Sequence, residues 1–131
     1  NILIRNKNFE FLKNFFKKFS NYFKLPEFYS NVKTAWLAFP LVIKKNNKFN
    51  RRQLQIFFEK NKIQTRTIFT GNILKQPIMK NLKYKKHNKS HLISDDVMEN
   101  GILIGCHQGL KNQDLVNMTK IFKKFVKFKN L

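Results

Sequence analysis

The sequence has few of the residues that disulfide, metal and phosphate sites require. Cys106 is the single cysteine among 131 residues, which excludes an internal disulfide and any multi-cysteine zinc or iron–sulfur site built by this chain alone. The four glycines do not match the spacing of a P-loop or a dinucleotide-binding loop. No apolar run reaches the roughly 18 residues of a membrane-spanning helix, and no signal-peptide pattern occurs. We therefore expect a protein of the reducing cytoplasm, with no membrane partner.

Acidic residues are also scarce, with seven against 27 lysines and arginines and a net charge of +20. Such a balance is typical of proteins that bind nucleic acid. Only four of the basic residues are arginines, however, and bidentate phosphate and base contacts favour arginine. Lys, Asn, Phe and Ile are enriched together, as an AT-rich coding sequence would produce without selection for charge. We do not expect nucleic acid as the partner, but a small basic nucleic-acid-binding domain stays open as an alternative function.

Aromatic residues are abundant. Fifteen phenylalanines and 42% apolar residues supply enough apolar area to offset the chain entropy of folding. The length fits one domain and excludes two complete ones, so we expect a single domain over 1–131. The sequence enters helical periodicity directly at its start, and we expect it to be the C-terminal part of a longer protein.

Hydrophobic periodicity predicts three helices. The second is expected to begin after Asn50, with Gln53 at the reciprocal position of a capping box, and to end near Asn61. Arg51 and Arg52 fall in its first turn, where they would face either solvent or an acidic partner surface. The first and last helices are marked by apolar stripes at helical spacing, namely Leu12, Phe15, Phe16, Phe19 and Phe23, and Leu115, Met118, Phe122, Phe125 and Val126.

Alternating aromatic and branched residues predict strands over 35–43, 64–69 and 102–106. Pro40 within the first of them indicates an edge position or a bulge. Residues 70–100 are expected to form a long irregular connection, which in a compact domain is usually functional or disordered. Helices alternating with about three strands predict the α/β class.

Familiar catalytic constellations are absent from the sequence. Cys106 and His107 cannot form a thiol–imidazole pair on a strand, because neighbouring side chains point to opposite faces. His87 and His91 have a spacing that could bind a metal together with Asp95 or Asp96, but the tract around the two histidines is too basic to favour a divalent cation. We expect no metal site and no catalysis by this chain alone.

The segment 36–77 combines aromatic residues with isolated polar ones. We predict a binding site there, formed by Trp36, Phe39, Arg66, Asn72 and Gln76. An arginine within an apolar strand is costly unless it meets a carboxylate, a phosphate or a cofactor group. The alternative is an Arg66 on the solvent face of an edge strand.

Three motifs resemble one known family. They are W-L-A-F-P at 36–40, R-R-Q-L-Q-I-F-F-E-K-N-K-I-Q-T-R-T-I-F-T-G-N at 51–72 with Gln76-Pro77, and G-I-L-I-G-C-H-Q-G-L at 101–110. They are similar to the C-terminal portion of DegT/StrS sugar aminotransferases, above all to the branch of CDP-4-keto-6-deoxyglucose 3-dehydratases of lipopolysaccharide biosynthesis. The chain departs from the family pattern at Leu37-Ala38 and at His107-Gln108, which replaces an aromatic residue and a proline.

The resemblance implies the small C-terminal domain of a fold type I enzyme that uses pyridoxal or pyridoxamine 5'-phosphate. It also implies an N-terminal large domain that binds the cofactor, a CDP-sugar substrate, a homodimer, an iron–sulfur cluster in the large domain and a reductase partner. Trp36, Phe39, Arg66, Asn72 and Gln76 would then line the substrate cleft. A sugar aminotransferase and a remnant without function remain alternatives.

Overall fold

The computed structural model of the chain describes residues 1–27, 29–85 and 92–131. Two short 3₁₀ helices, Ile73–Lys75 and Pro77–Asn81, lie between the third strand and the third α-helix. The other elements are α1 (Ile2–Lys17), β1 (Phe23–Lys24), β2 (Ala38–Ile43), α2 (Arg51–Lys60), β3 (Thr65–Thr67), α3 (Leu92–Asn100), β4 (Gly101–Gly105) and α4 (Asn112–Lys129). Among these described residues no helix is long and apolar enough to cross a membrane.

The four strands form one antiparallel sheet in the order β1-β2-β4-β3. This confirms the predicted α/β class. The strand missed by the sequence analysis, β1, has two residues and pairs only with Val42 and Ile43. Because β1 stops there, none of the described strands pairs with β2 on that side at Pro40, which agrees with the expected edge position.

One face of the sheet carries the core. Phe39 and Leu41 of β2 pair with Ile104 and Ile102 of β4, and all four side chains are buried. Helices α1, α2 and α4 pack on this face through the rest of one apolar cluster, which includes Phe9, Leu12, Phe16, Leu54, Phe58, Leu115, Phe122 and Phe125. We call the other face, formed by Ala38, Pro40, Arg66, Leu103 and Gly105, the open face, because its residues are only half-buried or exposed.

Helix α2 begins as predicted. The Gln53 backbone N–H donates to the Asn50 side chain at 3.0 Å, and the Asn50 N–H donates back to the Gln53 side chain at 3.2 Å, which is a complete capping box. Arg51 was expected to face either solvent or an acidic partner surface, and both expectations were wrong. Its Nη1 donates to the Met98 carbonyl at 2.8 Å and approaches that of Gly101 at 3.4 Å. Arg51 therefore binds a carbonyl that the end of α3 leaves without a helical partner and lies close to the first carbonyl of β4.

Two other predictions need correction. The first helix ends at Lys17, before Phe19 and Phe23. The N–H of Phe19 bonds the Phe16 carbonyl in a tighter turn, and Phe23 pairs with β2. The connection over 70–100 is also not irregular throughout, since α3 occupies its last nine residues. That helix was missed because it contributes no buried residue and so has no apolar stripe of the expected kind.

Candidate functional site

A cavity of about 470 Å³ lies at the end of the sheet where β2 and β3 begin and β4 ends. Part of its wall is the open face, through Ala38, Arg66, Leu103 and Gly105. The first turns of α4 form another part. The volume falls in the range of small-molecule sites, roughly 300–1,000 Å³. The remaining lining residues are Leu37, Lys62, Ile63, Gln64, Thr65, Ile104, His107, Leu110, Asp114, Asn117 and Met118.

Arg66 lies on β3 opposite Leu103, and its side chain is exposed. It makes no hydrogen bond or ion pair with any residue that the structure describes. Strand β3 is the edge of the sheet, so the solvent-face alternative describes its position correctly. The cavity adds a second fact, because this guanidinium lines a concave surface with its five donors unoccupied.

The cavity carries more cationic groups than acidic ones. Lys62 and Arg66 line it, and the carboxylate that does so is Asp114. One oxygen of Asp114 accepts the Lys111 backbone N–H at 2.8 Å, which caps the start of α4. A cavity with this balance of charge favours an anionic group, such as a phosphate, over a cationic one.

His107 also lines the cavity, and a local hydrogen bond sets its orientation. The Gly109 N–H donates to Nδ1 of the imidazole at 3.2 Å. Because Nδ1 accepts there, the ring hydrogen of the neutral imidazole belongs on Nε2, which is then a donor.

Helix α1 holds the segment that contains His107. The buried Asn8 donates from its side-chain amide to the carbonyl of His107 at 2.9 Å and to that of Cys106 at 3.4 Å. Nε of Arg5 donates to the Gln108 side chain at 2.6 Å. His107 and Gln108, where the chain departs from the family pattern, are therefore held in place by hydrogen bonds from α1.

The structure does not bring the predicted site residues together. Arg66 lines the main cavity, whereas Trp36 stacks on Phe9 with ring centroids 4.0 Å apart and lines a separate cavity of about 120 Å³. Phe39 has no exposed surface and belongs to the core. Contacts of these residues with a sugar or cofactor stay a prediction.

Asn72 and Gln76 lie in the loop that follows β3, and both make local hydrogen bonds. The Asn72 amide donates to Asp95 at 2.7 Å, and its oxygen accepts the Leu74 N–H at 3.0 Å. The Gln76 amide donates to the Thr70 carbonyl at 2.8 Å. Both residues therefore stabilise the loop, which is a structural role that the sequence analysis did not find.

Cys106 is a core residue. Burial raises the pKa of its thiol to about 11, which disfavours the thiolate that a nucleophile needs. His87 and His91 lie outside the described residues. Among the described ones, no group of three or more histidine, cysteine, aspartate and glutamate residues could hold a metal ion.

Sequence reasoning missed Lys62 and His107 as parts of the cavity. For Lys62 a signal existed, because the position just after a helix favours glycine and a lysine there is unusual. His107 was considered only as the partner of a nucleophile. His107 and Arg66 line the same cavity because β3 pairs with β4, and no local sequence pattern shows that pairing.

The fold defines the class of protein. An antiparallel sheet with helices on one face matches an aminotransferase from Psychrobacter cryohalolentis with a TM-score of 0.84 over 99% of this chain and 35% of that one, at 9% identity. Residues 1–123 match the DegT/DnrJ/EryC1/StrS aminotransferase family. The chain belongs to this family, as its motifs predicted.

Two curated relatives are similar at the sequence level. The lipopolysaccharide biosynthesis protein RfbH of Salmonella typhimurium is 31% identical over 92% of this chain and 28% of its own length. GDP-4-keto-6-deoxy-D-mannose 3-dehydratase of Escherichia coli O55:H7 is 32% identical over 82% of this chain and 27% of its own. This chain therefore spans less than a third of either relative.

A solved structure agrees with these relatives. The E. coli GDP-4-keto-6-deoxy-D-mannose 3-dehydratase with bound hydrated PLP matches with a TM-score of 0.79 and 27% identity, over 92% of this chain and 30% of that one. The expected fold, a small domain of the PLP-dependent aminotransferase type, is thereby confirmed.

Proposed function

We propose that this chain is the C-terminal small domain of a pyridoxal- or pyridoxamine-phosphate-dependent nucleotide-sugar enzyme that removes the C3 hydroxyl of CDP-4-keto-6-deoxyglucose. The observation that carries the proposal is the cavity at the end of the sheet, which Arg66 lines without a partner among the described residues. Of the two curated relatives above 30% identity, one is named as a 3-dehydratase, which favours that reaction, and the other as a lipopolysaccharide biosynthesis protein, which favours that pathway. The aminotransferases match at identities that bear on the fold alone.

The role proposed for this chain is to bind and orient the substrate. Arg66 supplies bidentate donors for a phosphate of the nucleotide. Leu37, Leu103 and Leu110 give the same space an apolar wall. The proposal names cytosine as the base of the nucleotide, whereas the E. coli relative is named for a GDP-sugar.

The described residues do not fit a complete cofactor site. Pyridoxal chemistry needs protein groups around the ring that tune it as an electron sink, and the cavity offers one carboxylate, Asp114, which already caps α4. We therefore assign the cofactor to a large domain outside these residues and derive no chemical step from this chain. A homodimer, an iron–sulfur cluster and a reductase partner remain predictions, as does the cytoplasm as its location.

Co-expression tests this function. The chain, carrying an affinity tag, is produced together with the large domain of the Salmonella relative. We expect the two to copurify, to show the near-visible absorbance of bound cofactor and to bind CDP-4-keto-6-deoxyglucose. An assembly that binds neither cofactor nor CDP-sugar would contradict the proposal, and glutamate-dependent amination of the sugar would support the aminotransferase instead.

Arg66→Ala is the sharper arm of this experiment. It should weaken CDP-sugar binding by about tenfold or more, as expected for one charge-assisted contact, and leave the cofactor absorbance unchanged. Lys123→Ala is the matched control, because Lys123 is exposed on α4 and does not line the cavity. Equal affinities in the two variants would remove Arg66 from the site.

A further inference from the structure

Lys62 has a backbone conformation that suits glycine. Its φ is 62°, in the left-handed region where a β-carbon is disfavoured. Helix α2 ends there in a Schellman-type turn, with the Ile63 N–H bonded to the Phe58 carbonyl at 2.9 Å and the Lys62 N–H to that of Glu59 at 3.0 Å. The turn needs the conformation but not the lysine side chain.

Helix α4 ends in the same way and shows the contrast. Asn130 has a φ of 51°, the Leu131 N–H bonds the Val126 carbonyl at 3.1 Å, and the Asn130 N–H bonds that of Lys127 at 3.3 Å. Asparagine is a residue that tolerates this conformation, because its short polar side chain can bond locally. Lysine has no such compensation, so a lysine at this position calls for another reason.

The side chain of Lys62 supplies one, since Lys62 lines the same cavity as Arg66. Neither cation pairs with an acidic group in the described parts of the chain. Arg66 offers a planar fork of donors, whereas Lys62 offers a compact charge on a flexible stem. The two together suit a ligand with two adjacent anionic groups better than a single carboxylate.

We propose that Lys62 is a second phosphate-contacting residue of the cavity, and that Lys62 and Arg66 together bind a diphosphate group. The inference rests on the proposed function in taking that diphosphate to belong to a nucleotide-linked substrate. Contact with the second phosphate would explain a lysine, rather than a glycine, at a position with a φ of 62°.

Pyrophosphate is the probe for the test. The 131-residue chain is titrated with it by calorimetry at physiological ionic strength, and thermal unfolding of each variant is followed by circular dichroism. Lys62→Gly should weaken pyrophosphate binding by about tenfold with an unchanged or higher melting temperature, because glycine fits the turn better. Lys62→Arg should retain most of the affinity.

Two controls distinguish specific binding of pyrophosphate in the cavity from nonspecific attraction to a basic chain. Asn130→Gly makes the same backbone replacement at the end of α4 and should leave pyrophosphate affinity unchanged. Lys123→Ala removes one exposed charge away from the cavity and should also leave it unchanged. The proposal is wrong if Lys62→Gly binds pyrophosphate as tightly as the unaltered chain, if Lys123→Ala weakens binding equally, or if the folded chain binds none.

This titration is independent of the co-expression experiment, because it needs neither cofactor nor large domain. If the co-expressed assembly binds cofactor but the chain binds no pyrophosphate, the role proposed for Lys62 is contradicted and the proposed function is not. A pyrophosphate site in a chain whose assembly binds no cofactor or CDP-sugar would instead contradict the proposed function.

Discussion

Gly71 lies against Met98 so closely that a β-carbon added at position 71 would come within 2.2 Å of the Met98 Cβ and 2.6 Å of its Cα. The φ of Gly71 is also 61°, in the region that favours glycine. This contact packs the loop after β3 onto α3. It explains why a glycine is required at position 71, just before Asn72.

Gly71→Ala should lower the free energy of unfolding by about 2–4 kcal/mol, from left-handed strain together with overpacking. Urea unfolding followed by circular dichroism measures the change. Gly105→Ala is the control and should cost little, since its new β-carbon would meet the His107 ring at an ordinary 3.5 Å.

The same clash makes a prediction for a double variant. Met98→Ala removes only the Cγ contact at 2.6 Å and leaves the contacts of Cβ at 2.2 Å and Cα at 2.6 Å, so shortening the side chain cannot relieve the clash. Gly71→Ala with Met98→Ala should be no more stable than Gly71→Ala alone. Recovery of stability in the double variant would show that the loop moves away from α3.

Asn72→Asp should destabilise the loop more than Asn72→Ala. Its amide donates to the Asp95 carboxylate at 2.7 Å, and a second carboxylate at that distance would repel it. We expect a loss of about 1–2 kcal/mol for Asn72→Ala from the two hydrogen bonds, and a larger loss for Asn72→Asp at neutral pH. Equal stability of the unaltered chain, Asn72→Ala and Asn72→Asp in urea unfolding would contradict a structural role for Asn72.

Arg51 and Arg52 form a matched pair of adjacent arginines in the first turn of α2. Arg51→Ala should lower stability by about 1–2 kcal/mol, because Nη1 donates to the Met98 carbonyl at the end of α3. Arg52 is exposed, and Arg52→Ala should change stability by less than about 0.5 kcal/mol. Chemical denaturation compares the two, and an equal effect would exclude the capping role.

Asp96 should contribute to acid sensitivity. Its hydrogen bonds from Lys24, at 2.6 Å, and Asn100, at 2.8 Å, lower the pKa of the carboxyl below 3.8. A lowered pKa in the folded state adds stability above the unfolded pKa, and that stability is lost as the pH falls through the folded value. The pair is largely exposed, so the gain is below about 1 kcal/mol.

Asp96→Asn is the test of this contribution. The variant should be slightly less stable than the unaltered chain at neutral pH, and the difference should shrink as the pH falls through the lowered pKa of Asp96 and vanish below it. Lys24→Met should behave in the same way, because it removes the other half of the pair. A difference that persists in acid would indicate a packing effect.

Local signals predicted the parts of the fold that local interactions specify. The capping box of Asn50 and Gln53 closes within one turn of α2, and the alternation along β2 matches its buried residues. Strand β1 depends on pairing with β2, and Arg51 reaches a carbonyl 47 residues away. Such partners are set by tertiary structure, so periodicity could not reveal them.

The candidate site shows the same difference between features set by local sequence and features set by tertiary structure. Arg66 was identified because a charge among apolar residues needs an explanation, and it does line the cavity. Phe39 was expected there as well, but the alternation of β2 directs it to the core side with Leu41 and Ile43. Asn72 seemed to lack a partner only because Asp95 is 23 residues further along the chain.

The bonds from Asn8 to the carbonyls of Cys106 and His107 constrain the order in which the chain can fold. The two partners are 98 and 99 residues away, so during synthesis α1 emerges long before the segment it must join. Until then Phe9, Leu12 and Phe16 lack the core that covers them. Contacts of such long range slow folding, and apolar surface exposed meanwhile invites aggregation. A chaperone that binds the emerging α1 should therefore raise the yield of folded protein.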